Sequence, residues 1–197
     1  DASSFILDME PSIGAVTIKA YEDSANLVGG EIILPQGVIL LQDFSAGNRS
    51  RLRLSTQPAS RSWWPGKHES WDVELNGDVL IDLNLDMGIA DGDIDARDLH
   101  LNAANVDFGI GTVHINLPAS GNYTVRIDGG IGAIVLEIPT TMAARITTDT
   151  GIATRTLPPD YRQNNEVWTS PGYEDSENRT DIDLSVGIGT VLVKNTP

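Results

Sequence analysis

Hydrophobic and polar residues alternate along most of the chain, and the alternation is organised into copies of about 21 residues. One copy reads FGIGTVHINLP from Phe108, and GGIGAIVLEIP follows 21 residues later from Gly129. Alternation with a period of two is the pattern of a β-strand with one buried face. No segment of the sequence has a convincing helical period, so the pattern predicts an all-β protein.

A Gly-Ile pair marks each copy at a constant position. Four pairs are spaced by 21 residues, and a fifth follows after 36, which is one period of 21 plus 15 residues. A weaker sixth copy, SIGAVTIK, begins at Ser12. A fixed period of this length is typical of stacked units that cannot bury an apolar face alone. The glycines of the five regular pairs are Gly88, Gly109, Gly130, Gly151 and Gly187.

The repeat predicts a β-solenoid-like stack of rungs, each about 21 residues long. The alternative is a β-sandwich whose hairpins have equal lengths. In the solenoid we expect the isoleucines after the glycines to form a core column, so Ile131→Asp should destabilise the fold by several kcal/mol. Glu137 is predicted on the outer face, where Glu137→Lys should change stability by less than about 0.5 kcal/mol.

The domain organisation follows from the extent of the repeat. We expect residues 1–197 to form a single β-repeat domain, with an irregular β cap over about 1–70 and regular repeats over about 71–197. The segment WDVELNGDVLIDLNLDM from Trp71 predicts a hairpin, because Asn76-Gly77 is a two-residue turn signal between alternating runs. A polar insertion near 158–178 predicts a loop, which is either part of a working face or inert.

Composition narrows the classes of function. The 197 residues carry a formal net charge of −15 and no cysteine, which excludes thiolate chemistry and disfavours nucleic acid and anionic lipid as direct ligands. Such a surface suits a basic partner or divalent cations. The longest apolar run is broken by Pro35 and Gly37 and is far shorter than the roughly 20 residues of a membrane-spanning helix.

Candidate chemistry is sparse, and no catalytic motif is present in the sequence. The stretch DGDID places Asp91, Asp93 and Asp95 on one face of a strand, where carboxylates could bind Ca²⁺ or form a glycosidase pair. The simpler interpretation is a solvated outer face. The aromatic candidates for a partner contact are Trp63, Trp64, Trp168 and Tyr173, although the adjacent tryptophans could instead cover the end of the stack.

The glycine-strand rhythm resembles one known family. The segments WDVELNGDVLIDLNLDMGIADGDIDARDL, FGIGTVHINLP, GGIGAIVLEIP and IDLSVGIGTVLVK are similar to the C-terminal domain of LiaF-like proteins, the cell-wall-active antibiotic response proteins related to the toast-rack "putative adhesin" domains. The resemblance implies a membrane-tethered accessory or sensor domain of the cell envelope, whose anchor lies outside this chain. It also implies a protein partner such as a membrane sensor kinase, and self-association as a further possibility, with no catalytic residue or cofactor.

The leading hypothesis is therefore a non-catalytic interaction or sensor domain in envelope-stress regulation. An adhesin-like or carbohydrate-binding module that uses the tryptophan loop is the first alternative. A β-helix carbohydrate-active enzyme that uses paired aspartates, with Asp93 essential, is the second.

Overall fold

The computed structural model describes residues 4–21, 26–59 and 68–197. The described residues form one 13-stranded sheet and a single short 3-10 turn at Tyr173–Asp175. This architecture confirms the prediction of an all-β, solenoid-like stack. In chain order the strands are β1 (Ser4–Glu10), β2 (Ile13–Tyr21), β3 (Val28–Ile33), β4 (Val38–Ser45), β5 (Arg49–Pro58), β6 (Glu69–Asn76), β7 (Leu80–Asp95), β8 (His100–Asn116), β9 (Asn122–Pro139), β10 (Ala143–Thr156), β11 (Arg162–Asn164), β12 (Val167–Thr169) and β13 (Arg179–Thr196).

Each long strand folds back on itself at its middle. Strands β7 and β8 are parallel and paired from one end to the other, from Leu80 with His100 to Asp95 with Asn116, with one register shift between Ile81 and Asp82. A straight strand of 16 residues would be about 53 Å long. The link from Asp95 to His100 can span at most about 18 Å, so the two ends of β7 must lie close together.

The fold-back divides each long strand into a first arm and a second arm that pack face to face. The bend falls at the Gly-Ile-Gly element, as the glycine spacing predicts. Across it, a Cβ atom built on Gly92 in the second arm would lie 3.5 Å from the sulfur of Met87 in the first. Side chains that point between the arms form one continuous hydrophobic core. From β8 and β9 the core includes Val106, Phe108, Val113, Ile115, Val125, Ile127, Ile134 and Leu136.

The predicted core column of repeated isoleucines is wrong. Ile110 and Ile131 are 48% and 49% exposed, and Ile152 is 79% exposed. The bend is the cause, because the isoleucine at its centre lies on the convex side and points away from both arms. The alternation of apolar and polar residues continues through the glycines in the sequence. At the bend, however, the face of the strand that points to the core changes, so the alternation no longer indicates which side chains are buried.

The last strand of the chain does not occupy the end of the stack. β13 pairs in parallel with β9 on one side and with β10 on the other. Strands β9 and β10 are therefore not paired with each other, although they are consecutive in the chain, and β13 lies between them. Along the first arms the order is β4-β5-β1-β7-β8-β9-β13-β10-β12-β11.

The N-terminal region is more regular than the predicted irregular cap over 1–70. Strands β1 and β2 form one rung interrupted at Pro11, and both pair in parallel with β7. Strands β5 and β6 form a second rung, parallel to the first. Among the described strands of this region, β3 and β4 alone pair antiparallel, and they form the outermost layer. At this end too, a later rung fills the slot between the first rung and the outer layer.

The predicted hairpin at Asn76-Gly77 is also wrong. The turn forms, since the Asn76 Oδ1 atom accepts a 2.8 Å hydrogen bond from the backbone N–H of Asp78. However, β6 pairs with β2 and β3, whereas β7 pairs with β1, β2 and β8. The turn connects the second arm of one rung to the first arm of another. The prediction failed because the residues of a two-residue turn determine the local backbone but not which strands pair.

The polar insertion near 158–178 contains structure rather than a simple loop. Strands β11 and β12 form a small antiparallel hairpin, and β12 pairs antiparallel with the first arm of β10. In this register Trp168 lies opposite Ile146. The insertion therefore covers part of the edge strand, and covered edges resist pairing with other chains.

Candidate functional site

The bend is built from two columns of small residues, in which glycine predominates. The second glycine of the element has a φ of +155° at Gly111, +152° at Gly132 and +154° at Gly189. A Cβ atom built at any of the three would lie 1.7–1.8 Å from the carbonyl oxygen of the neighbouring rung. Only glycine fits such an approach. The tight backbone packing holds the intervening isoleucine in a fixed, outward position.

These outward isoleucines are aligned across the stack. Ile110 pairs in register with Ile89 and with Ile131, and Ile188 pairs with Ile131 and with Ile152. Because neighbouring strands are about 4.8 Å apart, six aligned residues span about 24 Å along the stack. We call this row the isoleucine ridge, and in spatial order it contains Ile13, Ile89, Ile110, Ile131, Ile188 and Ile152.

An acidic column runs beside the ridge on the outer surface of the first arms. Three residues before the ridge position in each rung, the in-register residues are Asp86, Asp107, Asp128, Ser185 and Asp149. Burial, together with the neighbouring charges of Asp128 and Asp86, raises the pKa of Asp107. In the described part of the chain, Asp128 alone among these aspartates has an ion-pair partner, Arg126 at 3.5 Å. Arg126 also offsets part of the charge of Asp107, so the column is a row of partly compensated negative charge.

A second polar network lies on the outer surface of the second arms. Glu137 Oε1 lies 2.8 Å from Lys194 Nζ and 3.3 Å from His114 Nε2, and His114 Nδ1 lies 3.6 Å from Asp93 Oδ1. The hydrogen bond from Lys194 lowers the pKa of Glu137, and the contact with His114 adds to this effect. Glu137 is on the outer face as predicted, but it connects three rungs instead of facing only solvent.

The sequence profile described as the N-terminal domain of toast_rack, DUF2154, matches residues 1–137. The chain belongs to the toast_rack family. Its fold is similar to a crystal structure from Clostridium sporogenes ATCC 15579 described as a "putative cell adhesion protein", with a TM-score of 0.86 and 21% sequence identity, over 99% of this chain and 94% of that one. No functionally curated protein matches the chain. Within residues 4–21, 26–59 and 68–197, no helix has the length and apolar character needed to cross a membrane.

In this toast_rack domain the three predicted aspartates lie on the outer surface of the second arm of β7 and make separate contacts. Asp91 accepts a 3.0 Å hydrogen bond from the backbone N–H of Thr112. Asp95 accepts a 2.8 Å hydrogen bond from Arg97 Nε, which lowers its pKa. Among the described residues, no group of three acidic or histidine side chains is arranged to hold a metal ion. Ca²⁺ binding by Asp91, Asp93 and Asp95 therefore gains no support from this geometry.

The aromatic candidates separate into three cases. Tyr173, a predicted partner contact, is buried in the domain, where its hydroxyl donates a 2.8 Å hydrogen bond to Asp181 and Arg145 lies over its ring. Trp168 is half-buried and packs against the core. Trp63 and Trp64 lie outside the described residues, so their role remains a prediction.

Sequence reasoning identified every member of the isoleucine ridge but assigned the ridge to the wrong side of the sheet. The signal that could have corrected this is the pair of glycines on either side of Ile110, Ile131 and Ile188. Glycine inside a strand often marks a tight bend, where the alternation of buried and exposed positions need not continue. The acidic column was also visible as a repeat, since Asp86, Asp107, Asp128 and Asp149 follow the same 21-residue period.

Proposed function

We propose that this toast_rack domain is a non-catalytic contact domain of the cell envelope, which takes part in envelope-stress regulation by binding a protein such as a membrane sensor kinase. The observation that carries the proposal is the isoleucine ridge. Exposed single apolar residues are ordinary on protein surfaces, but a continuous apolar row on a soluble surface marks an interaction site.

The scaffold suits such a role because it holds the ridge rigidly. Every rung pairs with its neighbours through long backbone ladders, and the glycine columns fix the bend of each rung against the next. A rigid surface loses little conformational entropy on binding, which favours affinity. The ridge is therefore presented to a partner in one geometry.

The envelope location in the proposal rests on similarity. The segments that resemble LiaF-like proteins lie throughout the chain, and the structural relative from Clostridium sporogenes is described by a cell-adhesion function. Both similarities favour work at the bacterial surface or at the outer side of the membrane.

A second candidate is an adhesin-like or carbohydrate-binding module, favoured by the description of that structural relative. Its binding residues would be Trp63 and Trp64, because aromatic faces stack on sugar rings. Binding to a saccharide array that is lost on Trp63→Ala or Trp64→Ala, with the ridge intact, would favour this candidate over the first.

The test of the proposed function is site-specific photo-cross-linking in cells of the source organism. A photoreactive amino acid replaces Ile110 in the full chain, and a matched control carries it at Asp175 in the insertion. We expect one membrane protein to be cross-linked from position 110 and absent from position 175. Cross-links to wall polymer alone, or the same products from both positions, would contradict the proposal.

A further inference from the structure

We propose that the isoleucine ridge and the acidic column together bind a basic amphipathic helix of a partner protein. The inference rests on the proposed function and specifies the chemistry of the partner. The residue type at the ridge is the first observation that supports it. Threonine would serve an exposed strand position equally well and would keep a hydroxyl in water. All six ridge positions are isoleucine, whereas the in-register residues two positions later are Ala15, Asp91, Thr112, Ala133, Thr190 and Thr154.

The shape of the ridge favours a helix as the occupant. The ridge runs across the strands, along the axis of the stack, so a partner strand could not join it by backbone pairing. Apart from Ser12, the residues on both sides of each ridge isoleucine are glycine or alanine, so no large side chain stands beside the ridge. A helix of about 16 residues is about 24 Å long, which equals the length of the ridge. Side chains at helical spacings of three and four residues could then lie on either side of the isoleucines.

Charge selects a basic helix rather than a second copy of this chain. The acidic column lies on one side of the ridge only, so it favours a helix with a row of Lys or Arg beside its apolar face. A second copy would bring its own acidic column and a net charge of −15. Like charges would then face each other across the contact. The same negative surface disfavours anionic membranes as the occupant.

The experiment uses the full chain and a labelled 16-residue Lys/Leu peptide designed as an amphipathic helix, with affinity measured by fluorescence anisotropy. The comparison peptides are a scrambled sequence of the same composition and a Glu/Leu analogue of the same pattern. We expect the basic amphipathic peptide to bind at least about tenfold more tightly than either comparison peptide. Its affinity should fall as salt is raised, because the acidic column is exposed.

Matched variants locate the binding surface. Ile110→Thr/Ile131→Thr should weaken binding by about tenfold or more, since it removes the centre of the ridge. The control Ile33→Thr/Ile39→Thr makes the same change at residues that are 56% and 44% exposed on β3 and β4, and it should leave the affinity unchanged. Asp86→Asn/Asp107→Asn should weaken binding and reduce its salt dependence. Its control, Asp175→Asn/Glu177→Gln, removes the same charge from the insertion and should do neither. Thermal melts confirm that each variant is folded.

Three results would overturn the inference. The first is equal affinity for the scrambled peptide, and the second is equal loss of affinity in the Ile33→Thr/Ile39→Thr control. The third is ridge-dependent binding to phosphatidylcholine vesicles, or ridge-dependent dimerisation, without binding of the peptide. Cross-linking from position 110 to a membrane protein, together with failure of the peptide assay, would leave the proposed function standing and reject only the basic helix. Failure of cross-linking with success of the peptide assay would reject the envelope role alone.

Discussion

A Cβ atom on Gly132 would lie 1.7 Å from the carbonyl oxygen of Gly111 in the neighbouring rung. Backbone atoms cannot move aside as the tip of a flexible side chain can, and the φ of +152° at Gly132 adds strain for any other residue. The contact repeats from rung to rung, so the glycines determine both the bend and the spacing of the stack.

The first prediction follows directly from this contact. Gly132→Ala should destabilise the fold by more than about 3 kcal/mol, because the strained φ and the backbone clash act together. For a chain of this size the loss corresponds to a fall in Tm of roughly 6–12 °C. Gly47→Ala is the control, since its nearest contact is 3.9 Å away, and its Tm should stay near that of the wild type. Similar melting of the two variants would contradict the packing described here.

A second prediction compares two isoleucines of one rung. Ile134 is fully buried, whereas Ile131 is half-exposed on the ridge. Ile134→Ala should cost about 2–5 kcal/mol because it leaves a cavity in the core. Ile131→Ala should cost about 1 kcal/mol or less, since it removes only contacts along the ridge. Equilibrium urea unfolding measures both values. An equal loss of stability in the two variants would instead indicate that Ile131 belongs to a buried core column.

The third prediction concerns Glu137 and pH. A carboxylate whose folded-state pKa is lowered stabilises the fold above its ordinary pKa near 4.5, and this contribution is lost as pH falls through the lowered value. At pH 7, Glu137→Gln should therefore be less stable than the wild type by about 0.5–1 kcal/mol, a modest amount because Lys194 is half-exposed. The difference should disappear in acid.

Glu137→Lys tests the same network more severely. It places a cation beside Lys194 and His114 in place of their shared anion, so we expect a larger loss than from Glu137→Gln, and more than the 0.5 kcal/mol that the sequence alone suggested. A loss equal to that of Glu137→Gln at low and high salt would show that the network contributes nothing beyond the removed carboxylate.

A fourth prediction concerns the acidic column. The pKa of Asp107 is raised, so its ionised form disfavours the folded state, and stability falls as pH rises from the ordinary carboxyl pKa to the raised one. Asp107→Asn should therefore stabilise the free domain at pH 7 by about 0.3 kcal/mol, after allowance for solvent screening. The gain should vanish at pH 3, where the Asp107 side chain is protonated and therefore as neutral as the asparagine that replaces it. Destabilisation at pH 7 would contradict the charge assignment.

The sequence pattern predicted which residues are buried within each arm, but it did not predict this correctly at the bend. Glycine spacing predicted the rungs, and alternation placed Ile134 and Leu136 correctly in the core, because both signals depend on one strand and its face. Ile131 was misplaced because alternation carries no information about the turn, where the inner and outer sides exchange. The acidic column could be found from the same period, since Asp86 and Asp107 are 21 residues apart.

Strand order was beyond the reach of the sequence pattern. Strands β10 and β13 carry the same glycine-strand rhythm, so either would fit beside β9 by register alone. In the structure β10 is the rung whose outer edge is paired with β12 of the insertion. A repeat predicts that rungs stack, but rungs with the same pattern do not specify the order in which they stack.

The stack places β13 between β9 and β10, so that Ile188 lies between Ile131 and Ile152, and cysteine cross-linking tests this order most directly. The chain has no native cysteine, so engineered pairs have no background. Ile131 and Ile188 are in-register neighbours about 4.8 Å apart, whereas Ile131 and Ile152 are separated by a whole rung, about 9.6 Å. A disulfide needs Cα atoms within about 7 Å. We predict a rapid disulfide in Ile131→Cys/Ile188→Cys and none in Ile131→Cys/Ile152→Cys, and the reverse result would contradict the stacking order described here.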